Sequence, residues 1–374
     1  MLFTDANQLK AYTSEYRMWQ GIPGIERTKK GRIFISFYSG ARSEDLGNYA
    51  ILVKSDDGGQ NFGEPIAVAY YNENTRVFDP ALWIDPLGRL WFSWSVYPGN
   101  RVEFAICKNP DADELVWEEP RTLGYDIMLN KPTVLQNGDW LFHCSVWEPT
   151  LNRPDLWAPV EGVPTGAHVF LSRDEGKTFS LYSTVRHEHR SFDEHRILEK
   201  RDGTLAMYLR TTYGVGVCYS TDGGATWSQV VDSGLKGPCS RIFIGRLKSG
   251  RVLLINHHNF TGRNNLTAFL SEDDGATFPY SLLLDARDQV SYPDAVEGED
   301  GYIYVTYDHE RGALYNVKKD FENHAREILM AKFTEDDLLA GALVSPNSQL
   351  RLTVSRLGFR KTPADYFEKR KFQS

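Results

Sequence analysis

Histidine and cysteine are the side chains of this sequence that metal-binding or redox chemistry would use first. His187 and His189 lie two residues apart in a charged run, but no second ligand cluster accompanies them, so the run is more typical of a solvated loop than of a metal site. The four cysteines lack C-x-x-C spacing and the density of a secreted, disulfide-rich domain, which predicts reduced thiols. The sequence therefore predicts no metal and no cofactor.

The elements that position the functional side chains are short β-strands, and they repeat. A glycine followed by a β-rich run of apolar and aromatic residues occurs six times, with separations of 57, 50, 65, 47 and 51 residues. The six glycines are Gly31, Gly88, Gly138, Gly203, Gly250 and Gly301. A repeat of about 50 residues with several strands has the size of one propeller blade. We predict an all-β, six-bladed β-propeller over residues 1–345.

A second repeat has the pattern Ser-x-Asp-x-Gly-x-Thr/Asn-Trp/Phe. Four clean copies begin at Ser55, Ser172, Ser220 and Ser271, and residues 108–117 form a degenerate fifth copy. In this pattern Ser and Asp cap a tight turn, Gly supplies a positive φ, and the aromatic residue packs between sheets. The motif predicts a structural turn and leaves the chemistry open.

Net charge and hydrophobic patterning indicate which kinds of binding partner the protein is expected to have. The chain of 374 residues has a formal charge of −8, which argues against nucleic acid, because phosphate recognition needs clustered positive charge. No apolar window of about 18 residues predicts a membrane span, and the first residues lack a signal-peptide layout, so we expect a cytoplasmic protein without a membrane partner. Residues 346–374 form a basic C-terminal tail that we expect to pack on or trail from the propeller.

The Ser-Asp-Gly turns resemble the Asp-boxes of the sialidase (neuraminidase) superfamily, whose members are six-bladed propellers, and the resemblance runs in order from about residue 16 to 335. It implies three arginines that hold a sugar carboxylate, an aspartate acid/base, and a tyrosine nucleophile assisted by a glutamate. Glu194 and Arg210 match in type and spacing, one strand apart. Arg263 precedes an Asp-box strand, as the third arginine of the family does, and Tyr292 stands in the segment that resembles the nucleophile's.

The same resemblance implies further site residues. Arg42 and Asp45, between the first Gly-strand and the first Asp-box, match an arginine and the acid/base aspartate of the family. Asp79 precedes the second Gly-strand, where the family places a polar residue facing the substituents of the sugar ring. Apart from the resemblance, His195, next to Glu194, is a candidate substrate contact, and His195, His143, His257 and His258 are candidate proton acceptors for a lyase.

One position departs from the family pattern. Sialidases read Arg-Ile-Pro on the first strand, whereas this chain has Gly21 before Ile22 and Pro23, so the first carboxylate-binding arginine is missing there. Arg17 has the matching strand parity, but four residues at about 3.3 Å each place it roughly 13 Å away. Arg17 could therefore replace the arginine only if the backbone bulges.

The residue set favours an exo-acting, retaining glycoside hydrolase that removes a terminal acidic sugar from a small glycan or glycoside. A tyrosine nucleophile suits such a sugar, because a neutral phenol avoids repulsion from a carboxylate on the anomeric carbon. Two alternatives stay open. A tyrosine or histidine could abstract the proton α to a uronate carboxylate, which would make the protein a polysaccharide lyase. The glycine at position 21 is also compatible with a non-catalytic, sugar-binding propeller.

Overall fold

The computed structural model describes residues 1–41, 43–125, 127–128, 130–147, 161–311 and 324–358. The strands in these ranges form six antiparallel sheets, and each sheet is built from consecutive strands of the chain. The predicted all-β, six-bladed propeller is confirmed. In each blade the first strand named lies nearest the axis and the following strands run outward.

Blade 1 contains Trp19–Arg27, Ile33–Gly40, Tyr49–Ser55 and Ala67–Ala69, with Leu2–Phe3 at its outer edge; blade 2 contains Arg76–Ile84, Leu90–Tyr97, Arg101–Cys107 and Arg121–Gly124; blade 3 contains Ile127–Met128 and Thr133–Val134, which both pair with Trp140–Val146, then Gly166–Ser172 and Ser180–Val185. Blade 4 contains Arg190–Glu199, Leu205–Thr211, Gly214–Ser220 and Val231–Asp232; blade 5 contains Phe243–Arg246, Val252–His257, Leu266–Ser271 and Tyr280–Asp285; blade 6 contains Val290–Glu297, Ile303–His309, Glu327–Phe333 and Gln349–Arg356. The helices in the described part of the chain are Ala6–Leu9 and Glu335–Ala340, with 3₁₀ turns at Lys10–Tyr12 and Ser14–Tyr16.

The six glycines of the first sequence repeat each end the turn between the first and second strands of a blade. All six have a positive φ, between 77° and 106°. A side chain at such a φ would be strained, which explains why glycine recurs at the same point of each blade.

The Asp-boxes connect the third strand to the fourth in blades 1, 3, 4 and 5. In blade 4, Asp222 accepts hydrogen bonds from the hydroxyl of Thr226 at 2.6 Å, from the backbone N–H of Thr226 at 2.9 Å and from the hydroxyl of Ser220 at 2.7 Å. The Thr226 bonds, with the Ser220 bond, lower the pKa of Asp222 to about 2. Trp227 then packs against the apolar core between blades 3 and 4. The box is thus a turn that also fixes an inter-blade aromatic residue.

Apolar residues fill the space between neighbouring blades. Between blades 2 and 3, for example, the rings of Trp83 and Trp140 meet edge to face at a centroid distance of 4.8 Å, beside Trp91 and Phe142. Full burial of each such side chain contributes roughly 1.5–3 kcal/mol. These apolar cores join neighbouring blades around the axis.

A buried charge cluster lies where residues of blades 1, 3 and 6 meet at the axis. Lys131, from blade 3, contacts Glu26 of blade 1 at 2.8 Å and Asp294 of blade 6 at 3.3 Å. Asp294 also accepts a hydrogen bond from the backbone N–H of Ile25 at 2.9 Å. Because blades 1 and 3 are not neighbours, this cluster spans the propeller axis.

The predicted end of the propeller at residue 345 is too early. Gln349–Arg356 pairs antiparallel with Glu327–Phe333 and forms the outer strand of blade 6. Its side chains alternate between the exposed face and the sheet in most of the strand, so the basic residues Arg351 and Arg356 lie on the exposed face of an edge strand. Residues 359–374 of the predicted tail lie outside the described residues.

Two further features concern the whole molecule. No helix in the described part of the chain is both long and apolar enough to cross a membrane. All four cysteines are free thiols, three of them buried and Cys239 partly exposed.

Candidate active site

β-Bulges in the inner strands build the site. In blades 1, 2, 4 and 6 the pairing of the first two strands shifts register near the start of the inner strand. At these shifts Ile22, Asp79, Glu194 and Tyr292 have φ values of 55°, 45°, 39° and 55°. A bulge redirects a side chain, and a non-glycine residue at such a φ costs of order 1–3 kcal/mol. Three of the four strained residues are predicted site residues.

Tyr292, Glu194 and Arg210 come together at the centre of the site. The phenol of Tyr292 donates a hydrogen bond to Glu194 Oε1 at 3.0 Å. Arg210 Nη1 lies 3.3 Å from the Tyr292 oxygen and 3.0 Å from Glu194 Oε2, so one guanidinium group contacts both. All three side chains are buried.

The electrostatics keep Tyr292 protonated in the free protein. Burial and the Glu194 carboxylate raise its pKa, while Arg210 and Arg263 act in the opposite direction. Burial alone would lower the pKa of Arg210, but Glu194 and Tyr292 hold it above the ordinary value, so Arg210 stays charged. A phenol in this setting becomes nucleophilic only when its proton moves, and Glu194 is hydrogen-bonded to that proton.

Hydrogen bonds to the bulged backbone hold Glu194 in place. The buried amide of Asn130 donates to the carbonyls of Glu194 and His195 at 3.1 and 2.9 Å. Arg190 binds Asp193 through two nitrogens at 3.0 and 2.5 Å. The strained segment is therefore fixed from two sides before any ligand binds.

Within the described residues, four guanidinium groups surround Tyr292. Besides Arg210, the carbons Cζ of Arg263, Arg241 and Arg311 lie 5.3, 5.0 and 4.7 Å from the centroid of its ring. Arg241 is buried and donates to the carbonyls of Pro23 and Tyr292 at 3.1 and 3.3 Å, which suits a bracing role. The sequence interpretation included Arg210 and Arg263 but missed Arg241 and Arg311.

Asp79 lies in the same buried region, and its own carboxyl group has an unusual pKa. Its side chain is 3% exposed, and its Oδ1 has no hydrogen-bond partner among the described residues. Burial raises its pKa to about 7; Glu44 and Glu194 act in the same direction, against Arg76 and Arg241. Near neutral pH this group can therefore carry a proton.

The loop after the first Gly-strand has Glu44, and not Asp45, facing the arginines. Glu44 lies 3.1 Å from Arg76 and 3.2 Å from Arg311. Asp45 is exposed, and its carboxylate accepts a hydrogen bond from the backbone N–H of Leu46 at 2.9 Å. The predicted site residue Arg42 lies outside the described residues.

Two predicted site residues point elsewhere. Arg17 is buried in the seam that closes the ring between blades 1 and 6, where it donates to the hydroxyl of Ser355 at 2.9 Å and stacks on Phe37. The ring of His195 is buried between blades 3 and 4, against the carbonyl of His168 at 2.9 Å, and burial lowers its pKa to about 4. In this conformation neither side chain lies beside Tyr292.

Arg241 and Arg311, which the sequence interpretation missed, share a weak signal in the sequence. Arg241 stands two residues before the inner strand of blade 5, and Arg311 two residues after the second strand of blade 6. Arginines at strand ends near the axis are candidates for an anion site, but the sequence does not reveal which ones turn inward. Together the site presents a phenol with its proton acceptor, a buried carboxyl group and several guanidinium groups, which suits substitution at a carbon that carries a negative group.

Comparison with known proteins supports the architecture. A sequence profile of the BNR repeat-like domain matches residues 31–305. No curated protein sequence matches the chain. Among solved structures, the chain is similar to the Hadza microbial sialidase Hz136, with 18% identity and a TM-score of 0.63; the match covers 78% of this chain and 64% of the sialidase. The chain thus spans less than two thirds of that protein.

Two intramolecular trans-sialidases are also similar in structure. The leech enzyme has 12% identity and a TM-score of 0.68, over 89% of this chain and 70% of that one. The enzyme from Ruminococcus gnavus has 13% identity and a TM-score of 0.65, over 90% of this chain and 98% of that one. At these identities the likeness concerns the fold, whereas the profile match extends over most of the sequence. The chain belongs to the BNR repeat-like domain family and has the six-bladed propeller fold of sialidases.

Proposed function

We propose that the protein is an exo-acting, retaining glycosidase that removes a terminal acidic sugar. The observation that carries the proposal is the hydrogen bond of 3.0 Å between the Tyr292 phenol and Glu194, with Arg210 in contact with both. A nucleophile paired with its base is the usual arrangement for covalent catalysis. The fold shared with sialidases gives further support.

The reaction would proceed in two balanced steps. In the first, the Tyr292 oxygen forms a bond to the anomeric carbon, Glu194 takes the phenolic proton, and a carboxylic acid gives its proton to the departing glycosidic oxygen. In the second, the resulting carboxylate takes a proton from water, the water oxygen bonds to the anomeric carbon, and Tyr292 leaves and recovers its proton from Glu194. Two inversions at the same carbon retain its configuration.

We assign the acid role to Asp79 rather than Asp45. A general acid must be protonated at the working pH, and the buried Asp79 has a pKa raised to about 7. Asp45 is exposed and its carboxylate caps a turn. The matched variants Asp79→Asn and Asp45→Asn distinguish the two assignments. We expect Asp79→Asn to lower kcat by about 10²- to 10⁴-fold on a substrate with a poor leaving group, and Asp45→Asn to leave kcat unchanged. The reverse result would return the acid role to Asp45.

The arginines support an anionic sugar as substrate. Arg210, Arg263 and Arg311 all lie beside the Tyr292 ring, and a guanidinium group pairs well with a carboxylate. The structures of similar fold include a leech enzyme in complex with 2,7-anhydro-Neu5Ac and a Ruminococcus gnavus enzyme in complex with oseltamivir carboxylate. Sialosides, other keto-acid glycosides and uronides are therefore the substrates to test first.

The test is a glycoside panel with wild type and Tyr292→Phe. We expect wild type to release an acidic monosaccharide, identified by mass, and the variant to lose kcat by orders of magnitude with an unchanged melting temperature. A product lighter by one water would indicate intramolecular transfer by the same nucleophile. An unsaturated uronate, detected by ultraviolet absorbance, would instead indicate a lyase. Binding without turnover, or full activity of Tyr292→Phe, would contradict the proposal.

A further inference from the structure

Gly21 leaves room for an arginine that comes from another blade. A Cβ atom at position 21 would lie 2.4 Å from Arg311 Cδ, closer than such atoms pack, and 3.0 Å from Arg311 Cγ, so the Arg311 side chain would have to shift. The φ of Gly21 lies outside the left-handed region that favours glycine. The backbone therefore does not require glycine here, but the aliphatic part of Arg311 does.

The guanidinium group of Arg311 lies at the site. Its Cζ is 4.7 Å from the centroid of the Tyr292 ring, closer than that of Arg263 or Arg241. Its side chain is 11% exposed, so it is largely shielded from solvent. Burial alone would lower its pKa, but Asp308 and Glu44 raise it above the ordinary value, so Arg311 is charged.

Asp308 fixes the position of Arg311 relative to the nucleophile. Its buried carboxylate accepts hydrogen bonds from the Ser291 hydroxyl at 2.7 Å and from the backbone N–H of Ile22 at 2.9 Å. Arg311 Nε lies 3.5 Å from the same carboxylate. One carboxylate thus ties Arg311 to the residue before Tyr292 and to the residue after Gly21.

We propose that Arg311 is the third carboxylate-binding arginine of this site, supplied by blade 6 where blade 1 has Gly21. The inference rests on the proposed function, since it assigns the substrate carboxylate to Arg210, Arg263 and Arg311. The contact between Arg311 and Glu44 does not prevent this. Glu44 has a second partner in Arg76 at 3.1 Å, so a substrate carboxylate can take over a contact of Arg311 while Glu44 stays paired.

The test compares acids with their uncharged esters. Dissociation constants of N-acetylneuraminic acid and glucuronic acid, each with its carboxyl methyl ester, are measured by calorimetry on wild type and Arg311→Ala. We expect wild type to prefer one acid over its ester, and Arg311→Ala to weaken that acid by about 10- to 100-fold while the ester changes less than about threefold. Arg287→Ala, which removes another ion-paired arginine near blades 5 and 6, is the matched control and should leave both constants unchanged.

A relocation variant tests the exchange directly. Gly21→Arg alone should lower the melting temperature, because its Cβ meets the Arg311 side chain. The double variant Gly21→Arg/Arg311→Ala removes that clash and returns an arginine to blade 1. We expect it to recover most of the preference for the acid that Arg311→Ala loses.

The outcomes separate the inference from the proposed function. Suppose that wild type prefers the acid. If Arg311→Ala then binds acid and ester as wild type does, or if its affinity for both falls equally, Arg311 is not the carboxylate ligand and only the inference falls. If wild type shows no preference for either acid over its ester, the assignment of an acidic sugar falls, and the inference with it.

Discussion

Replacing Asp79 with asparagine should make the protein more stable at alkaline pH while impairing its activity. The wild-type carboxyl group is buried and has a pKa near 7, so it is neutral in acid and ionised above neutrality. An ionised Asp79 is a buried charge without full solvation, whereas asparagine has nearly the same shape and never ionises. The stability difference between the two proteins should therefore depend on pH.

The size of the effect follows from the two pKa values. In the unfolded chain Asp79 titrates near 3.8, and in the folded protein near 7. Between these values the folded state binds more protons than the unfolded state, so wild-type stability falls as the pH rises through this range. At about 1.4 kcal/mol per pKa unit, the total penalty is at most about 4 kcal/mol. Local rearrangement and water entry reduce it, so we expect about 1–4 kcal/mol.

The assay is the free energy of unfolding from denaturant titrations at pH 4.5, 6, 7 and 8. We expect the stability of Asp79→Asn minus that of wild type to rise from pH 4.5 to about 7 and then level off. Asp45→Asn is the control, because that carboxylate is exposed and its difference should change much less over the same range. A difference for Asp79→Asn that stays constant with pH, or falls as pH rises, would refute the reasoning.

Three further predictions follow from other contacts. Glu194→Gln should lower kcat by about 10²- to 10⁴-fold with little change in KM, because it removes the proton acceptor of Tyr292 and leaves an isosteric hydrogen-bond partner; steady-state kinetics test this, and an unchanged kcat would contradict it. Arg17→Ala should destabilise the protein by roughly 1.5–3 kcal/mol through loss of its bond to Ser355 in the ring closure, with KM unchanged; a raised KM would return Arg17 to the substrate site. Asp222→Ala should lower the melting temperature above pH 4, and the difference should vanish as pH falls from 4 towards 2, since the Asp222 pKa is about 2 in the folded state; calorimetry across this range tests it.

The fold could be predicted because its signals are local and repeated. Each blade has a glycine at the same turn, and each of four Asp-boxes satisfies its own hydrogen bonds within a few residues, as the Ser220–Asp222–Thr226 set does. Such patterns depend little on the rest of the chain. The outer strand Gln349–Arg356 was missed because its charged residues resemble a tail, although they lie on the exposed face of an edge strand.

Parts of the site could be predicted only where a motif fixes the direction of a side chain. Glu194 and Tyr292 are 98 positions apart and meet within 3.0 Å, because each stands at the bulge of an inner strand. The strand-parity argument for Arg17 assumed a regular extended chain, but the side chain turns into the seam beside Ser355. Likewise, Asn48 accepts a hydrogen bond from the backbone N–H of Asp45 and helps to shape the loop that contains Glu44 and Asp45. The sequence pattern does not show which of these two carboxylates faces the arginines.

The exchange proposed at Gly21 illustrates why a missing motif residue need not mean a missing function. Gly21 and Arg311 are far apart in sequence, yet a side chain at position 21 would meet the aliphatic part of Arg311 and force it to shift. A sequence comparison examines position 21 by itself and finds a lost arginine, whereas the structure places a guanidinium group 4.7 Å from the Tyr292 ring. Under the proposed function the site needs positive charge near Tyr292, and a propeller can provide it from any blade whose strand ends at the axis. For this chain the arginines are therefore better counted around Tyr292 than along the sequence.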